Sequence, residues 1–269
     1  MKALKCFFDF YINSSIHVAL AVYSLTCITL LELGLQYEET ILYFIFYASI
    51  TGYNFVKYFG VSRFRHRKLA NWLRLVQVLS IISFLLMCFY AYRLQSKTLV
   101  TIGFFGVLTF FYAIPFIRNE HYTLRKVYGL KVYVIAFVWA GTSVFLPVIN
   151  EDYILNVDVF LLGAQRFIYV LVLMIPFEIR DLKFDSVKLR TVPQKIGVRP
   201  SKLLGLIFLL MLFVLESFKD QMRYSNVIVL FLIATITGVF VVFSKTEQGK
   251  YYSSFWVCLL YTSDAADDL

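Results

Sequence analysis

Three carboxylates close one long apolar run. Glu178, Asp181 and Asp185 stand at i, i+3 and i+7 in Ile175-Pro176-Phe177-Glu178-Ile179-Arg180-Asp181-Leu182-Lys183-Phe184-Asp185. The run Val157 to Phe177 precedes them, and a basic loop from Arg180 to Lys202 follows. If a helix continues through this stretch, each residue advances by roughly 100° and the three acids fall within about 60° of arc on one face. Carboxylates crowded in that way raise one another's pKa and repel, so the face calls for a cation. Hard oxygen ligands at this spacing suit Mg²⁺, which shares its coordination shell with substrate phosphates. Glu178, Asp181 and Asp185 are therefore the expected metal ligands and catalytic acids. Arg180 and Lys183 beside them would pair with the same phosphates. The plainer alternative is a juxtamembrane helix end whose charges are solvated.

What must position these acids is a membrane protein. Of the 269 residues, 60% are hydrophobic and 16% charged, and the mean hydropathy is +0.73. Those values exclude an ordinary soluble domain. The expected fold is all-α, a polytopic bundle of about nine transmembrane helices. Expected spans are Ser15 to Leu35, Ile41 to Phe59, Trp72 to Tyr92, Leu99 to Ile117, Val132 to Ile149, Val157 to Phe177, Leu203 to Phe218 and Val227 to Phe243. A ninth begins near Tyr252. Met1 to Asn13 is too polar to begin a cleavable signal peptide.

The formal charge of +9 does not imply nucleic acid, because the basic residues lie in loops between apolar runs. They alternate by side. One side holds Lys2 and Lys5, Lys57 with Arg63 to Lys68, Arg118 to Lys131, Arg180 to Lys202, and Lys245 with Lys250. The other has only Arg93, Lys97, Lys219 and Arg223, with most of the loop acids. By the positive-inside rule, the N-terminus and the acidic triad are expected to face the cytoplasm. Cys6, Cys27, Cys88 and Cys258 form no close pair, and His17, His66 and His121 make no ligand spacing. Residues 258–269 change composition abruptly and look like the read-through translation of a sequencing adaptor. The single transmembrane domain is accordingly expected to occupy residues 1–257.

The stretch Phe177 to Asp185, followed by Arg190-Thr191-Val192-Pro193 and Ile196-Gly197, resembles the second aspartate-rich motif of the UbiA-type intramembrane prenyltransferases. That motif reads Asp-x-x-Asp-x-x-x-Asp, then Lys/Arg-Thr-Leu-Pro and a Gly. Phe111-Tyr112-Ala113-Ile114-Pro115 is similar to the family's Tyr-Ser-x-Pro, and the spacing of about nine helices extends the likeness over nearly the whole chain. The resemblance implies a helical bundle around a central cavity under a cytoplasmic cap. It implies Mg²⁺-assisted transfer of a prenyl group from a prenyl diphosphate to an aromatic or other lipophilic acceptor within the lipid bilayer. On that reading Asn54, Lys57, Tyr112, Lys126, Arg180 and Lys183 are the expected substrate-binding residues.

Two departures stand out. Glu178 replaces the motif's first Asp and keeps a hard ligand one methylene longer. The family's first motif, Asn-x-x-x-Asp-x-x-x-Asp, survives only as Asn54, with Tyr58 and Ser62 at the acidic positions. One of two metal sites should then be absent or weakened, with Lys57, Arg63 and Arg65 neutralising the diphosphate instead. For Asn54 a helix–helix hydrogen bond is an equal alternative to a substrate role.

Other polar residues in the spans have plainer readings. Arg166 beside Gln165 is an intramembrane ion and so a functional candidate, with outward snorkelling the favoured expectation. His17 reads as a packed histidine, and Glu32 as hydrated near the outer surface. Aromatic residues make up 19% of the chain and are spread through the spans. They could shield an allylic carbocation or simply pack helices. A silent relative that binds an isoprenoid or a membrane partner without transfer is the competing function, favoured by the lost acids. A solute transporter lacks the expected inverted repeat.

Overall fold

The computed structural model describes residues 2–58, 71–114, 129–183, 191–220, 223–248 and 252. Among them every regular element is helical: α1 Lys2–Asn13, α2 Ile16–Leu33, α3 Glu39–Tyr58, α4 Asn71–Tyr92, α5 Ser96–Ala113, α6 Leu130–Ala140, α7 Leu146–Asn150, α8 Val157–Asp181, α9 Val192–Ile196, α10 Val198–Glu216 and α11 Tyr224–Phe243. A π-helical stretch, Gly141–Phe145, joins α6 to α7.

Among the described residues seven helices are long and apolar enough to cross a membrane: Ile16–Leu33, Leu73–Tyr92, Ser96–Ala113, Leu130–Asn150, Val157–Asp181, Val198–Glu216 and Asn226–Phe243. The chain is thus an all-helical, multi-pass integral membrane protein. The second expected span, α3, is 20 residues long, about 30 Å, yet it is not one of the seven. Tyr43, Tyr47, Tyr53, Asn54 and Lys57 make it less apolar than its neighbours. It packs between α2 and α4. The ninth expected span and residues 258–269 lie outside the described residues.

The main core draws on α2, α3, α5, α6 and α8, with Val18, Val22, Ile41, Phe44, Tyr112, Trp139, Met174 and Phe177 in one buried cluster. A second cluster joins α8 to α10 and α11 through Val172, Ile175, Ile179, Leu209, Leu212 and Val241. Helix α8 therefore lies between two packed bodies, and its C-terminal turn emerges where both meet. Close approach is bought with glycine. A Cβ on Gly141 would stand 1.9 Å from the ring of Phe105, and one on Gly163 would stand 2.7 Å from that of Phe145.

The π-helical stretch within the fifth expected span has a local cause. Pro147 carries no N–H for the carbonyl of Ser143, and the π-helical stretch ends two residues before it. Thr142 and Ser143 donate back to the carbonyls of Val138 (2.8 Å) and Trp139 (2.7 Å), which also favours bending. Much of the aromatic excess is helix packing. Tyr47 stacks on Tyr90 at 5.9 Å between α3 and α4, and Tyr53 meets Trp139 edge-on at 6.2 Å.

The bundle end opposite the acids is tied by polar contacts. Asn150 donates from Nδ2 to Glu38, accepts from Thr98 Oγ1 at 3.1 Å, and its carbonyl accepts from Gln95 at 3.1 Å. Lys97 pairs with Asp152. Burial, and then the neighbouring Glu151, push the Glu38 carboxyl above the usual glutamate range, while the Asn150 bond opposes them. A raised folded-state pKa means that Glu38 supports folding below its unfolded value, about 4.3, and that this support is lost as pH rises through the folded value. Glu38→Gln keeps the acceptor for Asn150 and removes the charge. Its thermal midpoint in detergent should exceed wild type by about 2 °C at pH 7.5. The gain should vanish at pH 4, and a gain of equal size at both pH values would contradict the assignment.

Candidate functional site

The site expected from the sequence divides between two groups of contacts. The first is built on α3. Asn54 is 3% exposed and fully engaged in joining helices. Its Oδ1 accepts from Ser15 Oγ at 2.8 Å, and its Nδ2 donates to the Ser14 carbonyl (3.2 Å) and to Ser80 Oγ of α4 (2.8 Å). Lys57 donates to the Asn13 carbonyl (3.4 Å) and Oδ1 (3.5 Å), and the Tyr58 hydroxyl donates to the same carbonyl at 3.0 Å. All three residues thus grip the turn between α1 and α2. In that turn Ser15 adopts a left-handed backbone, φ 62°, unusual for a residue with a Cβ.

Of the two readings of Asn54, the helix–helix bond is the one this geometry supports. Asn54→Ala removes three bonds, to Ser14, Ser15 and Ser80, and at roughly 0.6 kcal/mol per intramembrane side-chain bond it should cost about 2 kcal/mol. Detergent unfolding would register the loss, and limited proteolysis should become faster at the α1–α2 turn. An unchanged unfolding midpoint would show the network to be idle.

The second group is built on the last turn of α8. Pro176 lies within the helix and removes the N–H that would bond Val172, which permits a bend just before the acids. Glu178 is 6% exposed. Asp181 Oδ1 accepts from Arg180 Nε at 2.7 Å and lies 2.6 Å from Nη2, while the guanidinium sits 5.5 Å from the Phe177 ring centroid. Helix α8 ends at Asp181, and Leu182 and Lys183 form a turn. The expected single helical face through Asp185 therefore does not extend past Asp181. Asp185 lies outside the described residues, as do Lys126, Arg63 and Arg65.

Electrostatics explain why the helix needs a cation here. Its C-terminus carries about half a negative charge from the aligned peptide dipoles, so Glu178 and Asp181 add charge where charge is least welcome. Arg180 neutralises part of it. Tyr112, at the end of α5, is 5% exposed and shares the main core with Phe177. It thereby brings the end of α5 towards that of α8. The Thr-Val-Pro stretch after the loop forms the short helix α9, begun by Gln194 Oε1 accepting from Thr191 N at 3.0 Å. Gly197 then turns the chain into α10 at φ 87°.

Two residues at this end escaped the sequence reading. After α11 the chain returns to α8. Gln248 Nε2 donates to the Pro176 carbonyl at 3.1 Å, and Glu247 Oε1 accepts from Lys183 Nζ at 2.9 Å. Lys183 holds the Glu247 carboxyl below its ordinary value. The only sequence signal was the polar cluster Lys245 to Gln248 closing an apolar run.

The metal expectation rests on donor chemistry. Among the described residues no group of three or more His, Cys, Asp or Glu gathers to hold an ion. Glu178 and Asp181 still fit Mg²⁺, which takes one or two carboxylates and completes its shell with water and phosphate oxygen.

Arg166 departs from its expected place. It is 7% exposed, and Nη2 donates to Thr29 Oγ1 of α2 at 3.2 Å, so a neighbouring helix rather than water receives it. Glu32 is only partly exposed and lies 3.7 Å from Lys219. His17 is buried, with Nδ1 3.4 Å from the Tyr11 carbonyl, as a packed histidine would be.

Comparisons of the chain with protein-family models, with curated proteins and with solved structures find no match.

Proposed function

We propose that the protein is an intramembrane prenyltransferase of the kind its motifs resemble, moving a prenyl group from a prenyl diphosphate to an aromatic or other lipophilic acceptor. One observation carries this reading. Two carboxylates close a 25-residue membrane helix at its negative end, with Arg180 and Lys183 at hand for phosphate oxygens. In this reading about nine spans surround a cavity, α3 being the second and Tyr252 opening the ninth. The acidic end and the N-terminus face the cytoplasm, in accord with the loop charges.

Mg²⁺ held by Glu178 and Asp181, joined by Asp185, would supply Lewis-acid neutralisation of the diphosphate. The chain's own groups do the rest. Arg180 and Lys183 bind the phosphate oxygens and stabilise the pyrophosphate as the prenyl C–O bond ionises, an electrostatic task. Lys126 and Tyr112 orient the diphosphate, and the core beneath Phe177 keeps water from the allylic carbon.

A binding relative without transfer has its own support. Asn54, Lys57 and Tyr58, at the degenerate first motif, are engaged by the α1–α2 turn. Membranes containing the protein, supplied with labelled prenyl diphosphates of several chain lengths, separate the two readings. The enzyme yields a labelled lipid that disappears when chelator removes Mg²⁺. Tight diphosphate binding with no product at any length would establish the silent relative and overturn transfer.

A further inference from the structure

The segment following α11 offers a regulation of the same site, and the inference rests on the reading just given. Gln248 is the fixed point. Its Nε2 donates to the Pro176 carbonyl, its Oε1 is sealed from solvent without a partner, and Ser244 at the start of the segment is fully buried. Glu247, one residue earlier, is different in kind. The ion pair it makes with Lys183 has side chains 83% and 46% exposed, respectively. Such a pair is screened by water and salt and is easily broken.

An anchored end and a weak charged end are the parts of a latch. Lys183 follows Asp181 by two residues, so whatever occupies its ammonium competes with any phosphate brought to the acids. We propose that Ser244–Gln248 is a strap across the acidic end of α8, hinged at Gln248 and latched by Glu247 on Lys183. A diphosphate opens it by taking Lys183 from the Glu247 carboxylate. The exchange is favourable because a diphosphate offers the ammonium more charge than a single carboxylate does. With Glu247 released, its side chain swings off Lys183 while Ser244 and Gln248 stay seated, and departure of pyrophosphate lets the ion pair re-form.

The test is inorganic pyrophosphate binding to the full chain in detergent with Mg²⁺, across a cycle of Glu247→Gln, Lys183→Gln and the double variant. Glu247→Gln should bind up to about fivefold more tightly than wild type, as loss of an exposed competing carboxylate allows. Lys183→Gln should bind more weakly. In the Lys183→Gln background the Glu247 substitution should change nothing, because the carboxylate acts by holding that ammonium. An equal gain in both backgrounds would mean simple repulsion and would overturn the strap, as would no gain or a weakening from Glu247→Gln. Those outcomes leave the prenyl diphosphate reading intact. Absence of pyrophosphate binding in wild type and every variant would overturn that reading and the strap together.

Discussion

If the protein is the proposed prenyltransferase, Asp181→Asn should lower transfer at saturating Mg²⁺ at least about 100-fold, some 2.7 kcal/mol of transition-state stabilisation. The substitution keeps the shape of the side chain and removes its charge. What is lost is one of the two described carboxylates expected to hold the cation, and with it the ion pair that fixes Arg180. Arg180 retains its stacking distance to Phe177 but no longer has the carboxylate that aims its fork. Stability should fall by about 1 kcal/mol at most, because the pair is only partly buried, 18% and 20% exposed, and closes the helix end. Glu178→Gln should be comparably inactive, and raising Mg²⁺ should recover part of its rate but little of the Asp181 variant's. Retention of more than about a tenth of wild-type activity in Asp181→Asn would remove that carboxylate from the chemistry. A matching fall in thermal midpoint would instead mark it as structural.

The membrane character and the placement of the acids could be read from the sequence for a simple reason. Both depend on local composition: an apolar run longer than a bilayer is thick, then a change to charge. The end of α8 was harder. A spacing of i, i+3 and i+7 describes one face only while the helix lasts, and it stops at Asp181. Helix α3 is the converse case, since its length suits a span while its tyrosines and Lys57 dilute the apolar signal.

Long-range polar pairing was not legible. Asn54 satisfies partners 39 and 40 residues away. Nothing in its own neighbourhood reveals that Ser15 turns left-handed to meet it. Gln248 reaches back 72 residues to the Pro176 carbonyl, past two intervening spans. Such contacts are fixed by how helices pack after insertion. Arg166 could be flagged as an intramembrane ion, but whether it reached water or a neighbour depended on where Thr29 stood.

The same limit hid the cluster that should give the largest loss of stability. At the bundle end opposite the acids, Lys219 lies 2.6 Å from Glu216 Oε2 and 3.7 Å from Glu32 Oε2. Gln165 Nε2 donates to Glu216 Oε2 and to the Leu212 carbonyl, both at 2.9 Å. The side chains of Lys219 and Glu216 are only 7% and 5% exposed. An exposed pair would contribute at most about 1 kcal/mol. Burial changes the accounting, since removing one partner leaves the other charged and dry. Lys219→Leu strands two carboxylates at once, and Glu216 Oε1 and Glu32 Oε2 already lack hydrogen-bond partners. It should cost about 3–5 kcal/mol in a detergent unfolding titration. Glu216→Leu should cost clearly less, because Lys219 keeps Glu32. The double variant should recover part of what Lys219→Leu loses, since an apolar pair replaces a buried ionic one, while Glu32 remains unpaired. Additive losses would mean that water reaches this end of α10 and that the three charges act independently.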